Sequence, residues 1–274
     1  MKRFLIALFS LCTTAAMAFP VAAFTTTSGL TVLSGDLIKS PEFSAVYYLA
    51  EDGKRYVFPN EKTYFTWYPS FANVKTITAS DLASLPIGGN VTYRPGTRMI
   101  KIQSDPKVYT VSKNGILRPI DSESVAASIY GTNWNQQIDD LSDAFFVNYR
   151  VGSPVMSSTG FDRMVFMNAV PNINTDKMLV ASPSGFIDVS QNANFANNPS
   201  LTLSQNGKVT WIATDTSMPS IMVTPPSGVT STSDMRSATL GQGEAFTFTF
   251  PQHGAWTYSN ANVSGSASGN VNVQ

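Results

Sequence analysis

The sequence predicts a mainly β protein in two parts: a two-unit repeat of β-hairpins and short helices, then an antiparallel β-sandwich. Three observations predict it. Landmarks recur 62 residues apart, with Ile38-Lys39 returning as Ile100-Lys101, Val46-Tyr47 as Val108-Tyr109, Gly53 as Gly115 and Tyr68 as Tyr130. Asp52-Gly53 and Asn114-Gly115 each sit between runs rich in Val, Tyr and Ile, the short-range signal of a hairpin with a type I′ turn. From about Met178 short apolar runs alternate with turn residues, and Phe246, Phe248 and Phe250 alternate with Thr247 and Thr249, the period of a half-buried strand. The division that follows is 1–23 signal peptide, 24–155 repeat domain, 156–177 linker and 178–274 sandwich.

The first residues fit a secretory signal peptide. Lys2 and Arg3 precede an apolar run from residue 4 to 11, and Ala18 or Ala23 ends an A-x-A-like cleavage site. Thr13, Thr14 and Pro20 interrupt that run well short of the ~20 residues a membrane span needs. No later stretch approaches that length, so no transmembrane span is expected after cleavage. Cleavage removes Cys12, the single cysteine. The mature chain then has no disulfide, thiolate nucleophile or cysteine metal ligand. The full chain balances 18 Lys and Arg against 18 Asp and Glu; losing Lys2 and Arg3 leaves it two charges negative. That argues against nucleic acid as a partner, since phosphate contacts need a basic surface.

Each unit opens with a hairpin, residues 45–49 with 54–58 and 108–111 with 116–120. Asn60 and Asp121 are placed to cap short helices over 61–68 and 122–130, with Gly131 stopping the second. Further helical turns are expected over 80–85 and 140–146, then strands over 90–94 and 147–150. These last matches stand 56 apart, which implies a loss of about six residues in the second unit, of the kind loops tolerate. After a turn-rich linker, the C-terminal part predicts strands over 185–189, 201–203, 209–212, 245–250 and 254–258.

Two resemblances follow from these residues. The run GKRYVFPNEKTYFTWY, with IGGNVTYRPGTRMIKI, SDPKVYTV and DAFFVNYRVG after it, resembles a repeat module of secreted and surface proteins of small, mostly uncultivated bacteria. It covers roughly residues 35–155 and implies an extracellular or envelope building block, with no established activity. In the C-terminal part, Phe195, Leu201, Leu203, Gly207, Val209, Trp211 and Asp215, with Gly241-Gln242-Gly243-Glu244-Ala245-Phe246 and Gly254-Ala255-Trp256-Thr257-Tyr258, are similar to a plastocyanin-like cupredoxin domain. That resemblance implies a cupredoxin-like sandwich, but its four copper-ligand positions hold other residues. Ser220 follows Pro219 where the first His would stand, and Asn260 takes the place of the Cys. The second His would fall at Asn262 or Val263, and the axial Met at Ser266. A blue-copper centre needs imidazoles and a thiolate, so no cofactor is expected.

The remaining chemistry is sparse. His253 is the sole histidine and lies outside the ligand loop; with Met218, Met222 and Met235 it offers an atypical copper set. Asp139, Asp140 and Asp143 supply the carboxylates a glycosidase would need, yet read as acids of a short helical turn facing water. Ser104-Asp105-Pro106-Lys107 matches S-x-x-K without companion motifs, and Gly265-Ser266-Ala267-Ser268-Gly269 lacks the central Ser of a nucleophile elbow. The expected protein is therefore a secreted or cell-envelope, non-enzymatic structural or interaction protein, whose partner is an envelope component or another surface protein. One alternative is an envelope glycan- or peptide-binding module with Tyr47, Tyr48, Tyr56, Trp67 and Tyr68 as its platform. The other is a copper-binding protein with Met and His ligands.

Overall fold

A computed structural model describes residues 23–190, 195–196, 200–263 and 268–274. The chain is mainly β, in several sheets. The expected signal peptide lies outside the described residues, apart from Ala23. That residue begins β1 (Ala23–Thr25), which pairs antiparallel with β2 (Thr31–Leu33). Val32 of β2 is buried against Ile38, Leu49 and Leu82, which fastens this ribbon to the first unit.

The first unit runs β3 (Leu37–Lys39), β4 (Tyr47–Leu49), β5 (Arg55–Val57), α1 (Glu61–Trp67), β6 (Val74–Thr76), α2 (Ala79–Ser84) and β7 (Ile87–Asn90). The second runs β8 (Met99–Ile102), β9 (Asp105–Ser112), β10 (Ile116–Pro119), α3 (Glu123–Tyr130), β11 (Ile138–Leu141), α4 (Asp143–Phe146) and β12 (Arg150–Val151). Each forms a five-stranded sheet, ordered β6-β3-β4-β5-β7 and β11-β8-β9-β10-β12. The three central strands are antiparallel and both edges parallel in each sheet. Parallel neighbours require a crossover, and α1, α2, α3 and α4 supply it.

Local chemistry explains the elements. The Asn60 side chain accepts from Thr63 N–H at 2.8 Å and starts α1. α3 is capped by Ser122 rather than the expected Asp121, one residue later, its hydroxyl accepting from Val125 N–H. Both side chains are competent caps, and register with the hairpin decides between them. Gly131, at φ 86°, ends α3 as expected, its N–H bonding Ala127 O. Asn114 and Gly115 both have positive φ, as a type I′ turn demands, whereas at Asp52-Gly53 only Gly53 does. The first turn is instead closed by Gly53 N–H on Ala50 O, a type I turn ending in a left-handed glycine.

The expected strands over 90–94 and 147–150 are displaced: β7 lies earlier and β12 begins where the second was to end. The apparent match of Tyr93 with Tyr149 is not an equivalence, because Tyr93 follows its edge strand and Tyr149 precedes one. They touch instead, Tyr93 N–H donating to Tyr149 Oη at 3.0 Å. No six-residue deletion exists. Val74 and Ile138, each opposite the first residue of its first strand, stand 64 positions apart, so the second unit is longer here by two. Two of the four residues of β7 are glycines, which left the sequence pattern little to match. Of the expected 140–146 turn only 143–146 is helical; Asp139 and Asp140 lie on β11.

Residues 156–177, expected as a linker, are folded. α5 (Arg163–Ala169) buries Phe166 and Ala169 with Phe161, Val170 and Val155, and this cluster includes Ile212 of the sandwich. α6 (Ile173–Asp176) is capped by Asn172 and reaches both hairpins. Asn174 Oδ1 accepts from Glu51 N–H and Asp176 Oδ1 from Asn114 N–H, each at 2.9 Å.

The sandwich consists of β13 (Phe186–Val189), β14 (Phe195–Ala196), β15 (Leu201–Leu203), β16 (Lys208–Ala213), β17 (Ile221–Thr224), β18 (Ala245–Thr249), β19 (Gly254–Asn260) and β20 (Ser268–Val273). One sheet is ordered β14-β13-β16-β18 and the other β15-β20-β19-β17. It is not purely antiparallel, since β13 pairs parallel with β16 and β15 with β20. A chain that changes sheet between strands returns beside an earlier one in either sense. Trp211, Trp256, Tyr258, Phe248 and Phe250 fill the space between the sheets. Phe246 is half-buried and stacks on Trp211.

The second unit docks on the sandwich through buried charge. Arg118 donates to the carbonyls of Ser153, Pro154 and Gly160 at 2.9, 3.1 and 2.7 Å and pairs with Glu244 at 3.0 Å. Burial lowers its pKa to about 10, opposed by Glu244. Gly243, at φ 83°, lets the backbone pass this side chain: a Cβ there would stand 3.0 Å from Arg118 Cδ and 2.8 Å from Ile116.

Candidate functional site

Ser220, Asn260 and Asn262, at three of the copper-ligand positions, meet at one end of the sandwich, where β17 begins and β19 ends. Ile221 pairs with Asn260, which brings Ser220 beside it. Ser220 and Asn260 are both buried, and Asn260 Oδ1 accepts from Ser220 N–H at 3.1 Å and Asn262 N–H at 3.0 Å. Ser220 Oγ donates to Ser237 O at 3.1 Å, and Ser237 Oγ accepts from Ile221 N–H at 2.8 Å. Asn262 Nδ2 donates to Met218 O at 3.0 Å. Val263 is exposed, and Ser266 lies outside the described residues. Neutral amide and hydroxyl oxygens engaged with backbone amides form a strand-end clasp and do not converge on a soft-metal site.

The atypical copper donors are scattered. His253 is exposed beside the first residue of β19, while Ile221 lies opposite the last. At ~3.4 Å per residue, His253 and the Met218 end of the sandwich are roughly 20 Å apart. Met235 is buried in the core. Among the described residues no three His, Cys, Asp or Glu groups cluster to hold a metal ion.

The five aromatics read as a platform do not share an exposed face. Tyr48 and Tyr56 are buried, while Tyr47, Trp67 and Tyr68 are half-buried. Tyr47 packs on the Ile38 side of its sheet and the other four on the Val91 side, as neighbours on a strand must diverge. Trp67 Nε1 donates to Thr92 O at 2.8 Å. Tyr56 Oη donates to Asp52 at 2.9 Å; burial and then that carboxylate push its pKa to about 12. The acids change role too. Asp139, expected to face water on a helical turn, is buried on β11, taking Arg98 at 2.6 and 3.1 Å and Lys62 of α1 at 3.4 Å.

What remains open is a groove of about 950 Å³ along the first unit. Val46, Val57 and Phe58 line its floor, Phe71 and Phe145 its apolar walls, and Lys39 and Glu61 bring charge. Phe71 stacks on Tyr64 at 4.3 Å and stays substantially exposed. Such a surface has the properties of a recognition site: apolar area with few orienting polar groups. Sequence reading missed Phe71, which follows the end of α1, and Phe145, which lies within the short α4, because the packing of neither is encoded in the local pattern.

Buried polar groups gather under the hairpin of the second unit. Lys113 has no exposed side chain and lies 2.6 Å from Asp188 Oδ2. Its Nζ also donates to Ser182 Oγ at 2.6 Å, and Ser182 Oγ donates to Asp188 Oδ2 at 3.0 Å. Asp176 accepts from Thr92 and Asn114 next to this group. Burial raises its pKa above the usual carboxylate range, opposed first by Lys177. No motif announced this cluster; a cation before Asn-Gly was its only local mark.

No helix among the described residues is long and apolar enough to cross a membrane. No protein-family model and no curated protein matches the chain. The module resemblance over 35–155 therefore has no counterpart in these comparisons. Solved structures of amicyanin variants do match. A reduced Cu(I) form at pH 4 shares 17% identity with a TM-score of 0.27, covering 35% of this chain and 86% of that one. An oxidised form shares 19% identity with a TM-score of 0.28 over the same shares.

Proposed function

We propose that this chain is a secreted, non-enzymatic interaction protein of the cell envelope, in which a cupredoxin-type sandwich without a copper centre supports the N-terminal units. The observation that carries the metal-free reading is the clasp at the ligand positions. Ser220 donates its N–H to Asn260 Oδ1 and its hydroxyl to Ser237 O, and no thiolate or imidazole stands among them. The groove beside Phe71 is the recognition surface of this reading, and the partner is an envelope component or another surface protein. The alternative platform of Tyr47, Tyr48, Tyr56, Trp67 and Tyr68 loses support because no common face exposes them.

Copper titration of the purified mature protein, followed by calorimetry and visible absorption, tests the metal-free reading. The expected outcome is no saturable site. Micromolar or tighter binding that disappears in His253→Ala would overturn it and turn attention to the methionines.

A further inference from the structure

Lys113 and Asp188 come from different parts of the chain, 75 residues apart, and are buried together. Lys113 sits at the hairpin of the second unit between the buried strands β9 and β10, and Asp188 is flanked on β13 by buried Ile187 and Val189. Removing both ions from water is costly, and a dry ion pair gains little net stability over apolar packing. The satisfaction of the carboxylate is also lopsided. Oδ2 receives Lys113 Nζ and Ser182 Oγ, while Oδ1 is buried with no hydrogen-bond partner. An unpartnered carboxylate oxygen in a dry site is expensive; an unpartnered amide oxygen is less so.

We propose that Lys113 and Asp188 condense into an intramolecular isopeptide bond that staples the second unit to the sandwich. Proton transfer within the pair gives a neutral amine and a neutral carboxylic acid. Nζ attacks Cγ, and a C–N bond forms. Ser182 bridges the two groups, so its hydroxyl passes the second proton from Nζ to Oδ2. The Cγ–Oδ2 bond breaks and Oδ2 leaves as water, while Oδ1 remains as the amide carbonyl. Ser182 ends as it began, and no oxidant, reductant or further reactant is consumed. Burial at both ends keeps bulk water from reversing the step. A chain whose single cysteine, Cys12, lies in the expected signal peptide has no disulfide to serve as this staple.

Mass spectrometry of the purified mature chain tests this. The expected intact mass is one water below the sequence mass, and a denatured digest yields a branched peptide joining the Lys113 and Asp188 segments, with no tryptic cleavage after Lys113. Asp188→Ala and Lys113→Ala are each expected to restore the full mass. Ser182→Ala should leave an uncrosslinked fraction that declines over time, the signature of a slowed relay. An unmodified intact mass overturns the proposal, as does normal cleavage after Lys113. A water loss mapping to Asp52-Gly53, where succinimide formation has the same mass, also overturns it. The digest uses denatured wild-type protein, so the result stands even where a variant fails to fold.

Discussion

The two hairpins share a sheet frame but differ in what their turns meet. In the first unit, Asp52 pairs with the half-exposed Lys54 at 3.2 Å and with Tyr56 Oη. In the second, position 113 holds a lysine with no exposure, and position 118 an arginine that reaches Glu244 and three carbonyls. Their counterparts 62 residues earlier are Glu51 and Tyr56. One frame thus serves as a surface hairpin and as a docking plug, and the choice lies in two side chains.

The largest test of this contrast is Arg118→Ala, which leaves buried carbonyls and Glu244 without their cation. A loss of about 3–5 kcal/mol is expected, read by chemical denaturation. A loss within ~1 kcal/mol, the range of a surface pair, would mean the plug contributes no more than the first hairpin does.

Next is Asn114→Ala against Asp52→Ala. Asn114 has φ 62° while Asp52 is not in the left-handed region, so the alanine costs about 1–2 kcal/mol at Asn114 for its backbone alone. Asp52→Ala should cost less, limited to its bonds with Lys54 and Tyr56. Equal losses in melting experiments would show that turn geometry does not distinguish the units.

The smallest effect concerns pH. The Asp176 pKa is raised by burial, so at pH values between the unfolded and folded pKa the folded state holds a proton that the unfolded state has released. That term stabilises the fold as pH falls from neutral toward the unfolded carboxylate value and weakens it as pH rises through the folded pKa. Asp176→Asn keeps an acceptor for Asn114 N–H and removes the titration. Its melting temperature should exceed that of the wild type by a margin that grows as pH rises from the unfolded carboxylate value toward the folded one. A constant difference across that range would assign the effect to packing.

How far the sequence was readable follows from the range of each interaction. Asn60 and Gly131 act on their own helix ends, so their roles show in a window of a few residues. Asp121 and Ser122 both cap well, and local chemistry alone does not separate them. Tyr93 and Tyr149 resemble each other because both pack near the same core, and similarity of environment mimicked equivalence of position. The ligand positions Ser220 and Asn260 were visible as departures from a pattern, but their bond to each other needed strands β17 and β19 in register. Lys113, Ser182 and Asp188 were silent, since nothing within a local window tells a lysine that its carboxylate lies 75 residues away.

The short helix α6 imposes an order on the life of the chain. Its Asn174 satisfies Glu51 N–H across 123 residues and donates to Ser34 across 140, while Asp176 holds the turn of the second unit. A polypeptide emerging from its N-terminus makes both sheets long before it makes this clasp. Neither early unit is complete until this later segment arrives, so the first-made sheets stay open at their hairpins until residues 173–176 have been added.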